Sequence, residues 1–371
     1  MSSLKERVIQ DLEERRENVL TGKINCIPSP FTRFRSDFVG IMKGCYYLIS
    51  GGAKSGKTKI TNQLFVYSPL LYAYEHPDQV KLKIFYYALE ETKEEILTRF
   101  MSYLLYTMSG GVIRISPLDL RSTNSDKVVS QDVLDLLKSE EYNKLLDFFE
   151  EHVIFGSSAN PTGIWVDMTK YAEANGNIHY KDVEITDKNT GELKVIKAFD
   201  YYEPVDPDEY VMIIVDHVSL LGLERGMNTR ETINKLSEYM VILRNKYNYI
   251  PVIVQQQSSE TLGLDAYRAN KIKPTLTGLG DSKYTARDSS LFLGITNPYA
   301  HEMPNYYNYD IIKLKDNFRL LEVVMSRIGP SNGAVGLYFD GATGFIKELP
   351  PPNDKEALDK IYKYIEKIRQ H

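Results

Sequence analysis

One eight-residue segment constrains the fold of this chain more than any other. Residues 51–58 read Gly-Gly-Ala-Lys-Ser-Gly-Lys-Thr, which fits the phosphate-loop pattern G-x-x-x-x-G-K-[ST]. An apolar run at 46–49 comes directly before it, and a helical pattern follows. In this motif a buried strand leads into a turn whose backbone N–H groups surround phosphate oxygens, and the next helix adds the positive end of its dipole. The segment therefore predicts an α/β fold that binds a nucleoside triphosphate.

The residues of this loop have predicted roles in binding the triphosphate. Gly51 and Gly56 allow the backbone to turn tightly, and Lys57 would reach the β- and γ-phosphates. The Thr58 hydroxyl would ligate Mg²⁺. We expect the whole loop to bind the triphosphate, and the predicted set is Gly51, Gly52, Ala53, Lys54, Ser55, Gly56, Lys57 and Thr58.

Acidic residues follow or end two other predicted strands. Residues 211–216 read Val-Met-Ile-Ile-Val-Asp, and the Asp216 carboxylate at the end of such a strand would hold Mg²⁺ together with Thr58. The apolar run at 83–89, the first after the phosphate loop, ends beside Glu90, a candidate for orienting the water that attacks the γ-phosphate. Glu91 is an alternative, and both acids also suit the start of the following helix without any catalytic role.

Polar residues after two later strands complete the candidate site. Gln255, Gln256 and Gln257 follow a proline-led apolar run, and a neutral amide there could sense the γ-phosphate by hydrogen bonding. The spacing does not decide which glutamine does so. Arg327 follows a short apolar run and could supply a guanidinium to the transferred phosphoryl group. An exposed loop without catalytic function is the alternative for each of these residues.

Composition limits the classes of partner. The chain has 371 residues, a formal net charge of -5 and a pI near 5.8, so any contact with nucleic acid must be local. Cys26 and Cys45 are the only cysteines, which excludes a disulfide framework and a cysteine-based zinc site. No apolar run approaches the length of about 18 residues that a transmembrane helix needs. We therefore expect a cytoplasmic protein with no membrane partner.

The alternation of apolar runs and helical patterns predicts a doubly wound α/β fold with a mostly parallel sheet. Residues 176–210 interrupt the alternation and predict an inserted β-hairpin. We divide the chain into an N-terminal amphipathic helix segment (1–26), a nucleotide-binding domain (27–350) and a C-terminal helix (351–371). The predicted strands are 46–50, 83–89, 153–155, 211–215, 250–254, 291–295 and 321–325, and the predicted helices are 3–20, 57–74, 92–107, 130–150, 164–174, 229–247 and 353–371.

The order of these segments resembles the RecA-like ATPase domain of DnaB-type replicative DNA helicases, a branch of the P-loop NTPases, over nearly the whole chain. The segment Tyr-Tyr-Ala-Leu-Glu-Glu resembles the family's strand that ends in the catalytic glutamate, which falls on Glu90. Pro-Val-Ile-Val-Gln-Gln-Gln is similar to the strand that ends in the sensor glutamine, which falls on Gln257. Met-Ser-Arg-Ile-Gly-Pro resembles the segment that carries the arginine finger, which falls on Arg327.

This resemblance implies an ATP- and Mg²⁺-dependent helicase or translocase that acts on single-stranded DNA as a hexameric ring. It also implies replisome partners, a phage or similar origin, and a linker role for the N-terminal helix, which would dock onto the adjacent subunit. In the family, loops facing the ring channel hold DNA, and the matching stretches here are 222–230 and 258–280. Their scattered cations suit tracking of a phosphate backbone, and the candidate contacts are Arg225, Arg230, Arg268, Lys271 and Lys273.

The sequence departs from the family pattern at several points. Met325 stands where the family usually has a lysine, and Glu260 stands where it often has an arginine. The hairpin region is additional, and we expect no helical domain of the kind that meets primase before the linker helix. Two alternatives therefore stay open: a RecA- or RadA-like recombination ATPase that forms filaments, and a nucleotide-switched assembly factor without unwinding activity.

Overall fold

A nine-stranded sheet runs through the part of the chain that the computed structural model describes, residues 4–186, 193–258 and 272–369. The strands in chain order are β1 (Ile27–Pro28), β2 (Gly40–Ile41), β3 (Tyr47–Gly51), β4 (Lys81–Ala88), β5 (Val153–Phe155), β6 (Gly176–Thr186), β7 (Leu193–Pro204), β8 (Glu209–Asp216), β9 (Ile250–Gln256), β10 (Leu291–Thr296), β11 (Asn305–Tyr306), β12 (Tyr309–Asp310), β13 (Phe318–Ser326), β14 (Ala334–Phe339) and β15 (Ile346–Glu348). The helices are α1 (Leu4–Leu20), α2 (Lys57–Asn62), α3 (Ser68–Glu75), α4 (Lys93–Met108), α5 (Pro117–Leu120), α6 (Gln131–Leu137), α7 (Glu140–His152), α8 (Pro161–Ala174), α9 (Thr229–Tyr247), α10 (Tyr284–Asp288), α11 (Ile311–Leu314) and α12 (Lys355–Arg369).

The main sheet has the strand order β15-β14-β13-β10-β3-β9-β8-β4-β5. From β10 to β5 neighbouring strands are parallel, which confirms the predicted mostly parallel sheet. The edge formed by β13, β14 and β15 is antiparallel. The sequence predicted one strand there, at 321–325, and missed the two short strands that follow it.

Helices cover both faces of the sheet. One face buries alternate strand residues such as Tyr47, Ile84 and Ile214 against α2, α4 and α7. The other face buries Leu48 and Ile213, among others, against α8 and α9. Burial on both faces explains why the central strands read as nearly continuous apolar runs rather than as alternating patterns.

The helices differ in how closely they match their predicted bounds. α9 occupies 229–247 as predicted, and its first turn is closed by a capping box in which Asn228 and Glu231 exchange side-chain and backbone hydrogen bonds. The single helix predicted at 130–150 is wrong, because the chain forms α6 and α7 instead. Ser139 has an extended backbone (φ -66, ψ 155) and starts a new helix, with Glu140 and Glu141 in its first turn.

The predicted hairpin is present as β6 and β7, which pair in an antiparallel ribbon outside the main sheet. Its base packs on α9, where Phe199 and Tyr202 contact Tyr247 edge-on at ring-centroid distances of 6.4 and 5.1 Å. Towards the far end the strands are exposed, including Leu193 and Val195. The hairpin is therefore anchored at one end and projects at the other.

α1 contacts the rest of the chain through polar side chains. Asn25 donates to the Arg15 carbonyl at 2.8 Å, and the Arg7 guanidinium lies 5.3 Å from the centre of the Tyr201 ring on the hairpin. Apolar side chains of this predicted amphipathic helix face outward, since Leu12 and Val19 are 59% and 65% exposed. None of the helices in the described ranges is long and apolar enough to cross a membrane.

Candidate nucleotide-binding site

The phosphate loop joins β3, a central strand of the sheet, to α2. Two glycines shape it. A Cβ on Gly51 would lie 2.5 Å from the Ile295 carbonyl oxygen, so that backbone can approach β10 only without a side chain. Gly56 precedes the first residue of α2 with a positive φ of 100°, a conformation that glycine adopts at no steric cost. The predicted strand–loop–helix context of the motif is confirmed.

Lys57 is turned back onto its own loop. Its ammonium donates to the Gly52 carbonyl at 2.9 Å. Burial lowers the pKa of Lys57, while the carboxylates of Asp216 and Glu90 act in the opposite direction. A phosphate group would give this half-buried cation a stronger partner than a backbone carbonyl. The loop thus has the donor set that a triphosphate requires.

Asp216 ends β8 beside the phosphate loop and is 5% exposed. One carboxylate oxygen accepts a hydrogen bond from the Tyr86 hydroxyl at 3.4 Å, and the other has no partner among the described residues. Burial raises the pKa of Asp216 to about 6, while the nearby Thr58 hydroxyl acts to lower it. A buried, unsatisfied carboxylate oxygen costs free energy unless a cation or donor occupies its vicinity.

Thr58 and Asp216 are the two side chains that fit the predicted Mg²⁺. No group of three or more His, Cys, Asp or Glu residues suited to a metal occurs within the described ranges. Mg²⁺ at nucleotide sites usually takes one or two protein oxygens and completes its shell with phosphate and water. The unpartnered Asp216 oxygen next to a threonine hydroxyl is consistent with such a site.

The two candidate glutamates have different surroundings. The Glu90 side chain is 61% exposed, lines the cleft beside the phosphate loop, and lies 3.8 Å from Nε2 of His217. The Glu91 side chain is 20% exposed and is held by Arg99. Burial raises the pKa of Glu91, and the Arg99 charge opposes that rise. Both glutamates line the cleft, but Glu90 is the more exposed of the two, and the Glu91 carboxylate is already paired with Arg99.

The three glutamines at the end of β9, Gln255 and Gln256 in the strand and Gln257 after it, have different surroundings. Gln257 is buried, donates to the Ser50 hydroxyl at 2.9 Å and accepts from the Thr275 N–H at 3.2 Å. Gln256 lines the nucleotide cleft, whereas Gln255 is buried away from it. Gln257 thus connects the end of β3 to the loop after β9 without facing the cleft. Its sensor role stays a prediction.

Arg319 is a functional candidate that the sequence did not indicate. It is 2% exposed, and its guanidinium donates to the Ser55 carbonyl of the phosphate loop at 2.7 Å. It also stacks on the Phe339 ring, 4.2 Å from the ring centre. Both residues line the same cleft of about 680 Å³ as Lys57 and Glu90. Nothing in the local sequence marks them, since they lie on β13 and β14 without a recognisable motif.

This architecture is similar to that of two solved structures. The ATPase domain of G40P aligns with 94% of this chain and 100% of its own, with a TM-score of 0.62 and 16% identity. A DnaB-like replicative helicase, described with its interactions with primase, aligns with 93% of this chain and 67% of its own, with a TM-score of 0.60 and 14% identity. The fold is that of a DnaB-like helicase ATPase domain. No family model and no curated protein matches the chain.

Within this DnaB-like fold the phosphate loop lies at the edge formed by the C-terminal ends of the parallel strands. Arg327 lies at the opposite edge, formed by their N-terminal ends. β13 runs antiparallel to β10, so Ser326 pairs with Leu291, and Leu291 pairs with Tyr47 at the start of β3. The five residues of β3 separate that edge from the loop by roughly 17 Å. Arg327 therefore does not approach the phosphate loop of its own chain.

The candidate DNA-binding cations are divided between described and undescribed segments. Arg225 and Lys273 are exposed on the loops that follow the adjacent strands β8 and β9 of the DnaB-like fold. Arg230 is also exposed but lies in the first turn of α9, so the predicted loop at 222–230 ends earlier than expected. Arg268 and Lys271 lie outside the described residues, as does Glu260.

Proposed function

We propose that this protein is an ATP-driven helicase or translocase that moves along single-stranded DNA as a ring of subunits. The observation that carries the proposal is the division of the site between two edges of one sheet. Lys57, Asp216 and Glu90 gather at one edge, and Arg327 lies at the other. A head-to-tail ring would bring the Arg327 edge of one subunit to the phosphate loop of the next.

In this proposal Lys57 and the loop N–H groups bind the triphosphate, and Glu90 orients the attacking water. Thr58 and Asp216 would hold Mg²⁺, which neutralises charge on the phosphate oxygens when bound. Arg327 stabilises the charge that develops on the transferred phosphoryl group of the neighbouring subunit's ATP. Gln257 would relay the state of the phosphate loop to the segment after β9, because it contacts both Ser50 and Thr275.

The DNA part of the proposal rests on exposed cations at two adjacent loop segments. Phosphate-backbone contacts release counterions, so affinity should fall steeply with salt and depend little on sequence. Phage origin, a cytoplasmic location and replisome partners follow from the family resemblance and belong to the same proposal. The hexameric state also follows from the family resemblance and belongs to this proposal.

The decisive experiment measures the ATPase rate with and without single-stranded DNA, together with the mass of the assembly. The proposal requires stimulation by DNA and an oligomeric mass. Strand displacement on a forked substrate would then separate a helicase from the two alternatives, which bind ATP without unwinding a fork. Filaments on DNA would favour a recombination ATPase, whereas no DNA binding at low salt would contradict the nucleic-acid function.

A further inference from the structure

We propose that Arg287 is a second catalytic cation of the shared site and acts beside Arg327 on the phosphates of a neighbouring subunit's nucleotide. The inference rests on the proposed function, because it needs a second subunit to supply the nucleotide. It assigns a role to a residue on α10, outside the phosphate loop and outside the Arg327 segment.

The two arginines are joined through the main chain. The Arg327 guanidinium donates to the backbone carbonyl of Arg287, and the Arg327 N–H donates to the Ser290 carbonyl at 2.9 Å. The contact between the arginines does not involve the Arg287 side chain. Replacing that side chain therefore leaves the support of Arg327 in place, so the two roles can be separated by mutation.

The Arg287 guanidinium is held in a fixed position while remaining open to solvent. It stacks on the Tyr284 ring at 3.8 Å from the ring centre, and its Nε lies 2.9 Å from a carboxylate oxygen of Asp288. Asp288 is itself fixed by a 2.8 Å hydrogen bond from Ser237. Even so, 55% of the Arg287 side chain is exposed. A cation held in place before the reaction loses little free energy to reorganisation when charge develops nearby.

The position of Arg287 decides between its possible ligands. α10 precedes β10, whose first residue Leu291 pairs with Tyr47 at the start of β3. Arg287 therefore lies at the Arg327 edge and out of reach of its own phosphate loop. The exposed cations on the loops after β8 and β9 lie at the other edge. Because Arg287 shares this edge with Arg327, its proposed ligand is the neighbour's nucleotide rather than DNA.

The test compares Arg287→Gln, Arg287→Lys and the control Lys283→Gln, which removes an exposed charge just before the same helix. We expect Arg287→Gln to lower kcat at least about tenfold, because lost transition-state contacts reduce kcat rather than nucleotide affinity. KM, oligomer mass and thermal stability should stay unchanged. Arg287→Lys should recover part of the rate, since it keeps the charge but loses the planar fork. Affinity for ADP with aluminium fluoride should follow the same order.

Three results would overturn the inference. A normal kcat in Arg287→Gln would show that the cation is not used. Equal losses in the Gln and Lys variants would indicate a packing role, and weaker DNA binding with a normal basal rate would assign the residue to DNA. Failure of the proposed function itself would look different. In that case the wild-type protein would lack ATPase activity, or Lys57→Ala would retain it.

Discussion

Glu90 and Glu91 are adjacent in sequence and line the same cleft, but Arg99 holds Glu91 while the Glu90 side chain is 61% exposed. We expect Glu90→Gln to bind ATP normally and to hydrolyse it at least about a hundredfold more slowly, the usual contribution of a group that positions or deprotonates water. Nucleotide binding and single-turnover hydrolysis would measure the two effects separately. Glu91→Gln is the matched control and should retain much more activity. The reverse order would move the role to Glu91.

The burial of Asp216 has a consequence for stability that does not depend on catalysis. Its folded pKa of about 6 lies above the usual value near 4, so its contribution to stability is present in acid and is lost as the pH rises through about 6. Without Mg²⁺ or nucleotide, Asp216→Asn should therefore be more stable than wild type at pH 8, by up to about 3 kcal/mol. The advantage should shrink by about 1 kcal/mol at pH 5.

Urea unfolding of both proteins at the two pH values, in the presence of a chelator, measures this difference. The sign is the informative part, since a carboxylate stabilised by an ion pair would give the opposite trend. A pH-independent difference between Asp216→Asn and wild type would contradict the assignment of a raised pKa.

At the scale of elements, the start of α4 positions Glu90. Thr92 is the N-cap of that helix and forms a capping box with Glu95, at 3.2 and 3.0 Å. Thr92→Ala should cost about 1 kcal/mol of stability and also lower kcat, because it loosens the turn that follows Glu90. Asp354→Ala removes the cap at the start of α12, where the carboxylate accepts from the Ala357 N–H at 3.1 Å. Asp354→Ala should lower the free energy of unfolding by a similar amount but leave kcat normal.

Chemical unfolding and steady-state kinetics on the two cap variants provide the comparison. If Thr92→Ala and Asp354→Ala lose the same free energy of unfolding and have the same kcat, the α4 cap does not influence Glu90.

The hairpin offers a second prediction at this scale. Replacing 182–197 with Asn-Gly would join Lys181 to Ala198, which already pair, through a two-residue turn. The base that packs on Tyr247 would remain, so basal ATPase should stay within about twofold of wild type, as is usual for trimmed exposed segments. Tyr202→Ala, at the base, should instead cost about 2 kcal/mol. A loss of basal ATPase in the trimmed protein would indicate that the distal hairpin contributes to the site.

Sequence reasoning identified the elements whose local pattern reflects their environment. The phosphate loop, β5 and α9 were predicted to their ends or nearly so, because glycines, buried runs and caps are local signals. β14 and β15 were missed, since short antiparallel edge strands carry few residues and depend on pairing, β14 with β13 and β15 with β14. The role of Arg319 was missed for a similar reason. Its contact with Ser55 arises from strand order, which a single sequence does not encode locally.

For the molecule as a whole, the separation of Arg327 from the phosphate loop predicts complementation between inactive subunits. Lys57→Ala and Arg327→Ala should each abolish or nearly abolish turnover, and Arg327→Ala should keep near-normal nucleotide affinity. Mixed subunits would recreate some interfaces with an intact loop on one side and an intact Arg327 on the other. Part of the ATPase activity should therefore return.

Labelled subunits would verify that exchange between the two variants occurs. With exchange established, a mixture as inactive as its parents would contradict a site shared between subunits. Normal turnover by Arg327→Ala alone would contradict it too.

β13 has a mechanical consequence for such a ring. Arg319 near its beginning contacts the phosphate loop, and Arg327 follows its last residue at the far edge, about 26 Å away for eight residues of strand. The strand is paired on both sides by β10 and β14, so it acts as a strut that resists stretching. A displacement of the phosphate loop that pulls on Arg319 would then move the guanidinium presented to the next subunit. Each β13 strand would thus connect the nucleotide site of its own subunit to the site of the next subunit around the ring.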